Sequence, residues 1–304
     1  MRIALQLACL AWAAVGFGAE PEVVRREVAE MPSLELKSIG KLNLKSVPEC
    51  SALWASPSQP GVFWTLADSG AKAAITPIRA DGTMVPFGRS YWGSVALKGV
   101  TNIDWEAIAG DPAGNVIVGD VGNNVSRRKE LAFYLFKEPA PGVTEVADVR
   151  KVTFGWPDQT AFPDPELTHD CEAMFLLRGK LYLLTKHRRD TLTDLWRAEI
   201  PATGARATLT KLARFDVGGM VTDACLSPDQ KRLAILTYRN VWVFDVPVAG
   251  EDFFRAPALH APIAPPMLSF QVEGCAWLDA GHLLVGSEQG DLFRIALTDL
   301  RAVK

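Results

Sequence analysis

The sequence lacks the short motifs that identify several common enzyme classes. It contains no G-x-S-x-G, no H-E-x-x-H, no P-loop and no C-x-x-C, so the signatures of familiar serine hydrolases, zinc proteases, nucleotide-binding proteins and dithiol oxidoreductases are absent. A strong excess of charge is lacking as well, since the formal net charge of the 304 residues is −3 at pH 7. This balance gives no sign of a nucleic-acid partner or of a strongly basic membrane-binding surface.

Long apolar runs are confined to the first residues of the chain. After Arg2 an apolar stretch continues to Gly18, and small residues then lead into a charged segment. This pattern predicts a signal peptide over residues 1–19, with a single membrane anchor as the alternative. No later segment is apolar enough to span a bilayer. We therefore expect a secreted or periplasmic protein without membrane insertion after cleavage.

The chain contains an internal repeat. Each unit has an acid, a short apolar run, a turn, a second apolar run, and two further runs with strand-like alternation. The aligned acids are Glu49, Glu106, Glu172, Asp223 and Glu273. Subtraction of these numbers gives separations of 57, 66, 51 and 50 residues. Because no run has a convincing helical period, four short strands per unit predict an all-β fold, a five-bladed β-propeller.

The two ends of the chain are predicted to close the ring. Residues 34–47 have the character of a fourth run, but no first three runs precede them. They are expected to complete the blade that contains residues 291–297, which removes exposed sheet edges. Six blades are the alternative, and they require a further unit within residues 137–167. The predicted boundaries are a signal peptide over 1–19, an N-terminal extension over 20–33 and one propeller domain over 34–304.

The aligned acids indicate a cation site. The first strand of a propeller blade lines the central channel, and the acid stands at the start of that strand. Carboxylates at one mouth raise one another's pKa or bind a cation, and oxygen ligands without histidine favour calcium, with magnesium as the alternative. A purely structural role is also open, in which the acids accept backbone hydrogen bonds from the next blade. We expect Asp104 and Glu106 at the channel, and Trp105 in the sheet packing.

A second polar row is predicted beside the acids, where the second strand of each blade ends. Its members are Asp68, Asp120, Lys186, Tyr238 and Glu288. Each follows a run that is otherwise apolar, so together they suggest the walls of a pocket. Asp68 and Asp120 are candidates for further cation ligands or catalytic acids, while Lys186, Tyr238 and Glu288 are candidates for contacts to a substrate.

Basic residues follow the second row in the third and fourth units. Lys186, His187, Arg188 and Arg189 are consecutive, and Arg239 follows Tyr238. A solvated basic loop is one interpretation. The other is an anion site, in which Lys186, Arg188 and Arg239 bind a small anionic ester. His187 is then a candidate general acid or base, although a satisfied or exposed loop histidine is the more frequent role.

Four cysteines follow the predicted signal peptide, and all lie close to the aligned acids. They are Cys50, Cys171, Cys225 and Cys275. Export permits disulfides, and Cys225 and Cys275 occupy equivalent positions in neighbouring units. Buried free thiols are nevertheless the more frequent state of cysteine in a strand core.

The repeats resemble known propellers. The stretches ECSALWASPSQPGVFWTLADSG, NIDWEAIAGDPAGNVIVGDVGNN and DCEAMF resemble a group of exported bacterial β-propeller proteins, over the whole mature chain. More distantly, one acid per blade is similar to the calcium-activated nucleotidase (apyrase) propellers, and lactonase and phytase-like esterase propellers also use a channel calcium. The apyrase likeness implies Glu49, Glu106, Glu172 and Glu273 as calcium ligands. Asp223 departs from that pattern, and LADSG only loosely matches the apyrase signature D-D-R-T-G.

Two functions follow as hypotheses. The first is a calcium-dependent hydrolase of a small anionic ester, either a phosphoester or a lactone, in which the cation polarises the ester oxygen. The second is a non-catalytic propeller with a structural ion that binds a protein or glycan partner on its carboxylate face. Fold alone does not choose between them.

Overall fold

The chain forms five β-sheets arranged in a ring. The structure is a computed structural model, and it describes residues 20–86 and 93–303. The first strands of the five sheets contact one another in a closed circle. This arrangement confirms the five-bladed β-propeller predicted from the repeats. The predicted signal peptide, residues 1–19, lies outside the described residues, and no described helix has the length and apolarity to cross a bilayer.

Each blade is built around a four-stranded antiparallel sheet. Blade 1 contains Cys50–Ala55, Phe63–Ala67, Ala74–Ile78 and Val95–Leu97. Blade 2 contains Trp105–Gly110, Asn115–Asp120, Leu131–Lys137 and Arg150–Phe154. Blade 3 contains Cys171–Leu177, Lys180–Thr185, Leu192–Glu199 and Thr208–Asp216. Blade 4 contains Val221–Leu226, Arg232–Thr237, Asn240–Asp245 and Ala258–Ala264. Blade 5 contains Val272–Asp279, His282–Ser287, Asp291–Ala296 and Ser38–Lys41.

Short extra strands extend three of the outer edges. Val23–Val24 pairs with the outer strand of blade 3, Glu145–Val146 with that of blade 1, and both Leu34–Glu35 and Arg301–Val303 with that of blade 4. Single 3-10 turns occur at Phe253–Arg255, Met267–Ser269 and Leu297–Asp299. The added strands cover backbone groups that an open edge would leave unpaired.

The ring is closed by the N-terminal segment, as the sequence predicted. Ser38–Lys41 supplies the outer strand of blade 5 and pairs antiparallel with Asp291–Ala296. Gly40 is required in this strand because a Cβ atom there would lie 2.3 Å from the backbone oxygen of Asp81. A strand from one end of the chain therefore joins a sheet from the other end, and the blades cannot separate without breaking this pairing.

Local sequence chemistry sets the turns between strands. In blade 3 the first two strands are joined at Arg178 and Gly179, which have φ values of 51° and 75°. Two consecutive positive φ values are typical of a tight hairpin turn, and glycine adopts this conformation at little cost. In blade 2 the Asp111 carboxylate accepts the backbone N–H of Ala113 at 2.9 Å and that of Asn115 at 3.0 Å. Such turns bring each second strand back beside the first.

Alternating apolar side chains fill the spaces between blades. Trp64 and Trp105 are fully buried between blades 1 and 2, so Trp105 packs in the sheet layer as the sequence predicted. Phe133 and Phe154 stack with ring centroids 4.4 Å apart in the layer between blades 2 and 3. Burial of an aromatic side chain of this kind contributes about 1.5–3 kcal/mol, so these layers hold neighbouring blades together.

Asp223 crosses the channel and ties three blades together. Its carboxylate accepts the backbone N–H of Cys275 at 2.6 Å in blade 5, that of Leu53 at 3.3 Å in blade 1, and that of Ala224 at 2.7 Å in its own strand. The four register-equivalent residues are Ala52, Ala107, Ala173 and Gly274. Asp223 therefore has the structural role that the sequence left open, as a backbone acceptor that locks the ring.

Replacing this carboxylate should destabilise the propeller. In Asp223→Asn, an amide NH₂ group replaces one acceptor oxygen and faces a backbone donor, which costs about 1–3 kcal/mol in unfolding free energy. Urea unfolding of the variant, compared with Asp299→Asn at an exposed position, measures the difference. Equal unfolding midpoints for the two variants would show that Asp223 does not lock the ring.

Candidate functional site

A β-bulge opens the first strand of every blade. At each bulge one residue has no partner in the second strand, because the two residues around it pair with consecutive residues opposite. The bulge residues are Ser51, Glu106, Glu172, Thr222 and Glu273. They form the set of equivalent positions at the start of the channel.

This register corrects the alignment of acids for two blades. Glu49 lies two residues before its bulge and is exposed, and Asp223 lies one residue after its bulge. The equivalent positions are instead held by Ser51 and Thr222. Acid spacing alone could not reveal this, because in these two blades another acid lies within two residues of the bulge position.

The two hydroxyl residues link neighbouring blades. Ser51 Oγ donates to the backbone oxygen of Trp105 at 2.8 Å, and Thr222 Oγ1 donates to that of Val272 at 2.7 Å. Each bond joins one blade to the residue just before the next bulge. Only three of the five equivalent positions therefore carry a carboxylate: Glu106, Glu172 and Glu273.

Lys186 is a buried counterion for two of these glutamates. Its side chain is 1% exposed; the Nζ atom pairs with Glu172 and lies 3.5 Å from Glu273 Oε1. Tyr238 completes the group, because it accepts from Lys186 Nζ at 2.9 Å and donates to Glu273 at 2.5 Å. Burial alone would lower the pKa of Lys186, but the carboxylates of Glu172 and Glu273 outweigh it and raise that pKa well above its usual value. The ammonium is therefore charged.

Glu106 has no such counterion. Its side chain is 3% exposed, and among the described residues it makes no hydrogen bond and no ion pair. It belongs to two groups of three carboxylates, and within each group one oxygen atom from each residue lies within 4.8 Å of the other two. One group is Glu106 with Glu172 and Glu273, and the other is Glu106 with Asp68 and Asp104.

The second of these groups lies at the partly exposed mouth of the channel. Asp68 and Asp104 are half-buried, and no described group donates a hydrogen bond to the Asp104 carboxylate. Gly122 permits this crowding, because a Cβ atom there would lie 2.5 Å from Asp104 and 2.8 Å from Glu106. Burial and then the charge of neighbouring acids raise the pKa of Asp104 to about 7 and that of Glu106 well above its usual value. Burial is the largest cause of both shifts, and the charge of Arg128 offsets it only in part at Asp104.

The second polar row is present in four blades. Asp68, Lys186, Tyr238 and Glu288 each follow the last residue of a second strand. Asp120 lies one position earlier, because it pairs directly with Trp105. Its carboxylate is fully buried and accepts from Arg128 at 2.6 Å. Asp120 therefore forms an ion pair beside the channel mouth and does not join the two carboxylate groups.

Two of the three basic residues that follow Lys186, His187 and Arg188, are more buried than residues of a solvated loop would be. His187 is 1% exposed, and its Nδ1 atom lies 2.9 Å from Asp190. Arg188 donates to Asp170 at 2.8 Å and to Asn124 at 2.6 Å. Arg188 is partly exposed, and Arg189 is exposed. Farther along the chain, Arg239 is exposed.

The four cysteines of the described residues are buried free thiols. Burial raises the pKa of Cys50 to about 12. The Sγ atoms of Cys225 and Cys275 lie 3.5 Å apart, one in blade 4 and one in blade 5. The two thiols face each other across the blade boundary.

Two acids near the site had no ligand role in the sequence interpretation. Asp104 and Asp170 each precede a bulge glutamate by two residues. Asp104 belongs to the group with Asp68 and Glu106 at the mouth. Asp170 instead binds Arg188 and accepts the backbone N–H of Asn123 at 2.7 Å. The spacing D-x-E in blades 2 and 3 is the signal from which both could have been found.

Comparison with known proteins adds no family. No model of a protein family matches the chain, and no curated protein matches it in sequence. Among solved structures it is similar to a chain of the Chaetomium thermophilum polycomb repressive complex 2, at 13% identity over 64% of this chain and 45% of that chain. It is also similar to a chain of the mitotic checkpoint complex, at 14% identity over 82% and 64%, and to U3-55K, at 10% identity over 88% and 67%. The TM-score is 0.37 in all three cases, and the chain spans less than half of the first of these proteins. The fold assignment rests on the sheet topology.

Proposed function

We propose that this propeller binds a hard divalent cation, calcium in preference to magnesium, between Asp68, Asp104 and Glu106. The observation that carries the proposal is the state of Glu106, a carboxylate that is 3% exposed and has no described hydrogen-bond or ion-pair partner. A buried carboxylate without a partner is costly, and it either takes up a proton or binds a cation. Two further carboxylates within 4.8 Å provide the remaining charge.

The ligand chemistry favours calcium. Three carboxylates supply only oxygen atoms, which both calcium and magnesium prefer. Calcium accepts six to eight ligands in irregular geometry, whereas magnesium requires a near-octahedral set and dehydrates reluctantly. A mouth in which two of the three carboxylates are half-buried leaves positions for water or for a second ligand. The signal-peptide pattern supports a site that works outside the cytoplasm.

The cation site in this proposal occupies half of the ring. Glu172 and Glu273 have the ammonium of Lys186 between them, and a divalent cation there would have to displace a buried charge. The sequence alone suggested that all five aligned acids bind the ion. The side of the mouth formed by blades 1 and 2 fits better, because no basic side chain of residues 20–86 and 93–303 pairs with Asp104 or Glu106 there.

The geometry favours binding over ester hydrolysis. In the hydrolase hypothesis, Lys186 holds the substrate anion and His187 transfers the proton, but both side chains are 1% exposed and bonded to acids of the protein. Neither can reach a ligand at the mouth without leaving those partners. We therefore infer a non-catalytic role, and a panel of phosphoesters and lactones tests it, since calcium-dependent turnover would contradict it.

Removal of single acids should distinguish the cation ligands proposed from the structure from those predicted from the sequence. Isothermal titration should show one calcium per chain, and Asp68→Asn and Glu106→Gln should each weaken binding by about tenfold or more, because each removes a charged ligand. Glu49→Gln is the matched control: it removes an acid from the same face at an exposed position and should bind calcium as the parent does. Weaker binding in the control, with normal binding in Asp68→Asn, would favour the sequence-based ligand set.

Stability of the cation-free protein should fall as the pH rises from about 4 to about 7. In the folded state, burial raises the pKa of Asp104 and of Glu273 to about 7, with neighbouring acids adding to it, whereas carboxyls of an unfolded chain titrate near 4. Between these values the folded state holds more protons than the unfolded state, so the free energy of unfolding decreases with pH and levels off above about 7.

The pH effect is best measured as a difference between variants. His260 acts in the opposite direction. Burial lowers its pKa to about 4 in the folded state, so its contribution to the free energy of unfolding is lost as the pH falls below the pKa that His260 has in the unfolded chain. Asp104→Asn leaves His260 unchanged, so urea unfolding of parent and variant across this pH range isolates the carboxylate. The parent should show the steeper decrease with pH, and saturating calcium should reduce it. Identical slopes for parent and variant would contradict the assignment.

A further inference from the structure

The large exposed apolar side chains are concentrated on the carboxylate face of the ring. Ten such side chains occur in the described residues. Seven of them belong to loops on this face: Leu44, Ile103, Val125, Phe162, Met267, Leu268 and Phe270. Met267 and Leu268 are 87% and 85% exposed. A soluble protein normally scatters such residues singly, so a concentration on one face indicates an interaction surface.

Topology places these loops together. The loops that lead into each first strand, and those that join each second strand to the third, all lie at the end of the ring where the first strands begin. Residues 98–104, 121–130, 155–170 and 265–271 are loops of these two kinds. Ile103 directly precedes Asp104, and Met267–Ser269 forms a 3-10 turn just before blade 5. The apolar residues therefore lie on the face whose mouth carries Asp68, Asp104 and Glu106.

Charged residues of both signs lie in the loops of this face. Between blades 5 and 1, Glu49 and Glu288 line a cavity of about 360 Å³ together with Leu44. The exposed arginines described on this face, Arg127, Arg189 and Arg239, lie on blades 2 to 4. The guanidinium of Arg188 lies 3.4 Å from Glu172. A ligand at the centre thus meets both a cation site and arginines.

We propose that this face docks a partner protein through an acidic side chain set among apolar residues. The proposal rests on the cation site above. Calcium accepts six to eight oxygen ligands, so three carboxylates leave coordination positions open toward the solvent. A carboxylate of the partner completes that coordination beside the arginines, and apolar side chains around it bury Ile103, Met267 and Leu268. The exposed apolar residues favour a polypeptide over a glycan.

Short synthetic peptides test this docking mode. One peptide array carries a central Asp flanked by varied Leu, Phe and Met, and a second array carries Asn at the central position. Both arrays are incubated with fluorescently labelled protein, once with calcium and once with a chelator. Asp peptides should bind at least about tenfold more tightly than their Asn counterparts, and only with calcium. The double variant Met267→Ser/Leu268→Ser should lose peptide binding and retain calcium binding in titration.

The possible results distinguish a failure of this docking inference from a failure of the proposed cation site. Normal calcium binding without selection of Asp peptides would overturn the docking inference alone, as would equal peptide binding in chelator. Selection of glycans instead of peptides, or calcium-dependent self-association through the same residues, would also overturn it, because each would identify another occupant. Absence of calcium binding in the parent protein would overturn the proposed function and this inference with it.

Discussion

The convergence of five first strands on one axis is the constraint on which the rest of the structure depends. Each strand opens with a bulge, and the bulge residues of different blades come within reach of one another. Buried carboxylates in so small a space repel each other and need positive charge. Among the described residues, only Lys186 supplies an ammonium directly to the glutamates of the ring. It neutralises the side formed by blades 3 and 5, and the side formed by blades 1 and 2 is left with an excess of negative charge.

The same convergence explains the residues that are not acids. Ser51 and Thr222 use their hydroxyl groups to hold the next blade, and Asp223 reaches the backbone of two other blades. Hydrogen bonds of this kind replace cation binding at those positions. The ring is therefore divided between side chains that join blades and side chains that create a charged mouth, and we assign the cation to the second set.

Much of the fold could be predicted from the sequence, because strand alternation and turn residues recur in every unit. The closure by residues 34–47 followed from one unpaired run, and Ser38–Lys41 forms that strand. The site was harder to predict. Glu49 and Asp223 lie within two residues of the bulges at Ser51 and Thr222, so acid spacing alone made them appear equivalent to Glu106. Lys186 precedes His187 and two arginines, so in the sequence it resembled a residue of a solvated loop. Its burial depends on which side chains the neighbouring blades direct into the channel, and sequence spacing does not contain that information.

The central claim is that Lys186, with Arg188 beside Glu172, supplies the positive charge of the ring, and that one position is open for an added divalent ion. Anomalous diffraction from crystals soaked in manganese or terbium, which replace calcium at oxygen sites, tests it directly. The account predicts one peak bounded by the carboxylates of Asp68, Asp104 and Glu106, with Lys186 still between Glu172 and Glu273. A peak between Glu172 and Glu273 with Lys186 displaced, or no peak at the mouth at saturating ion, would contradict it.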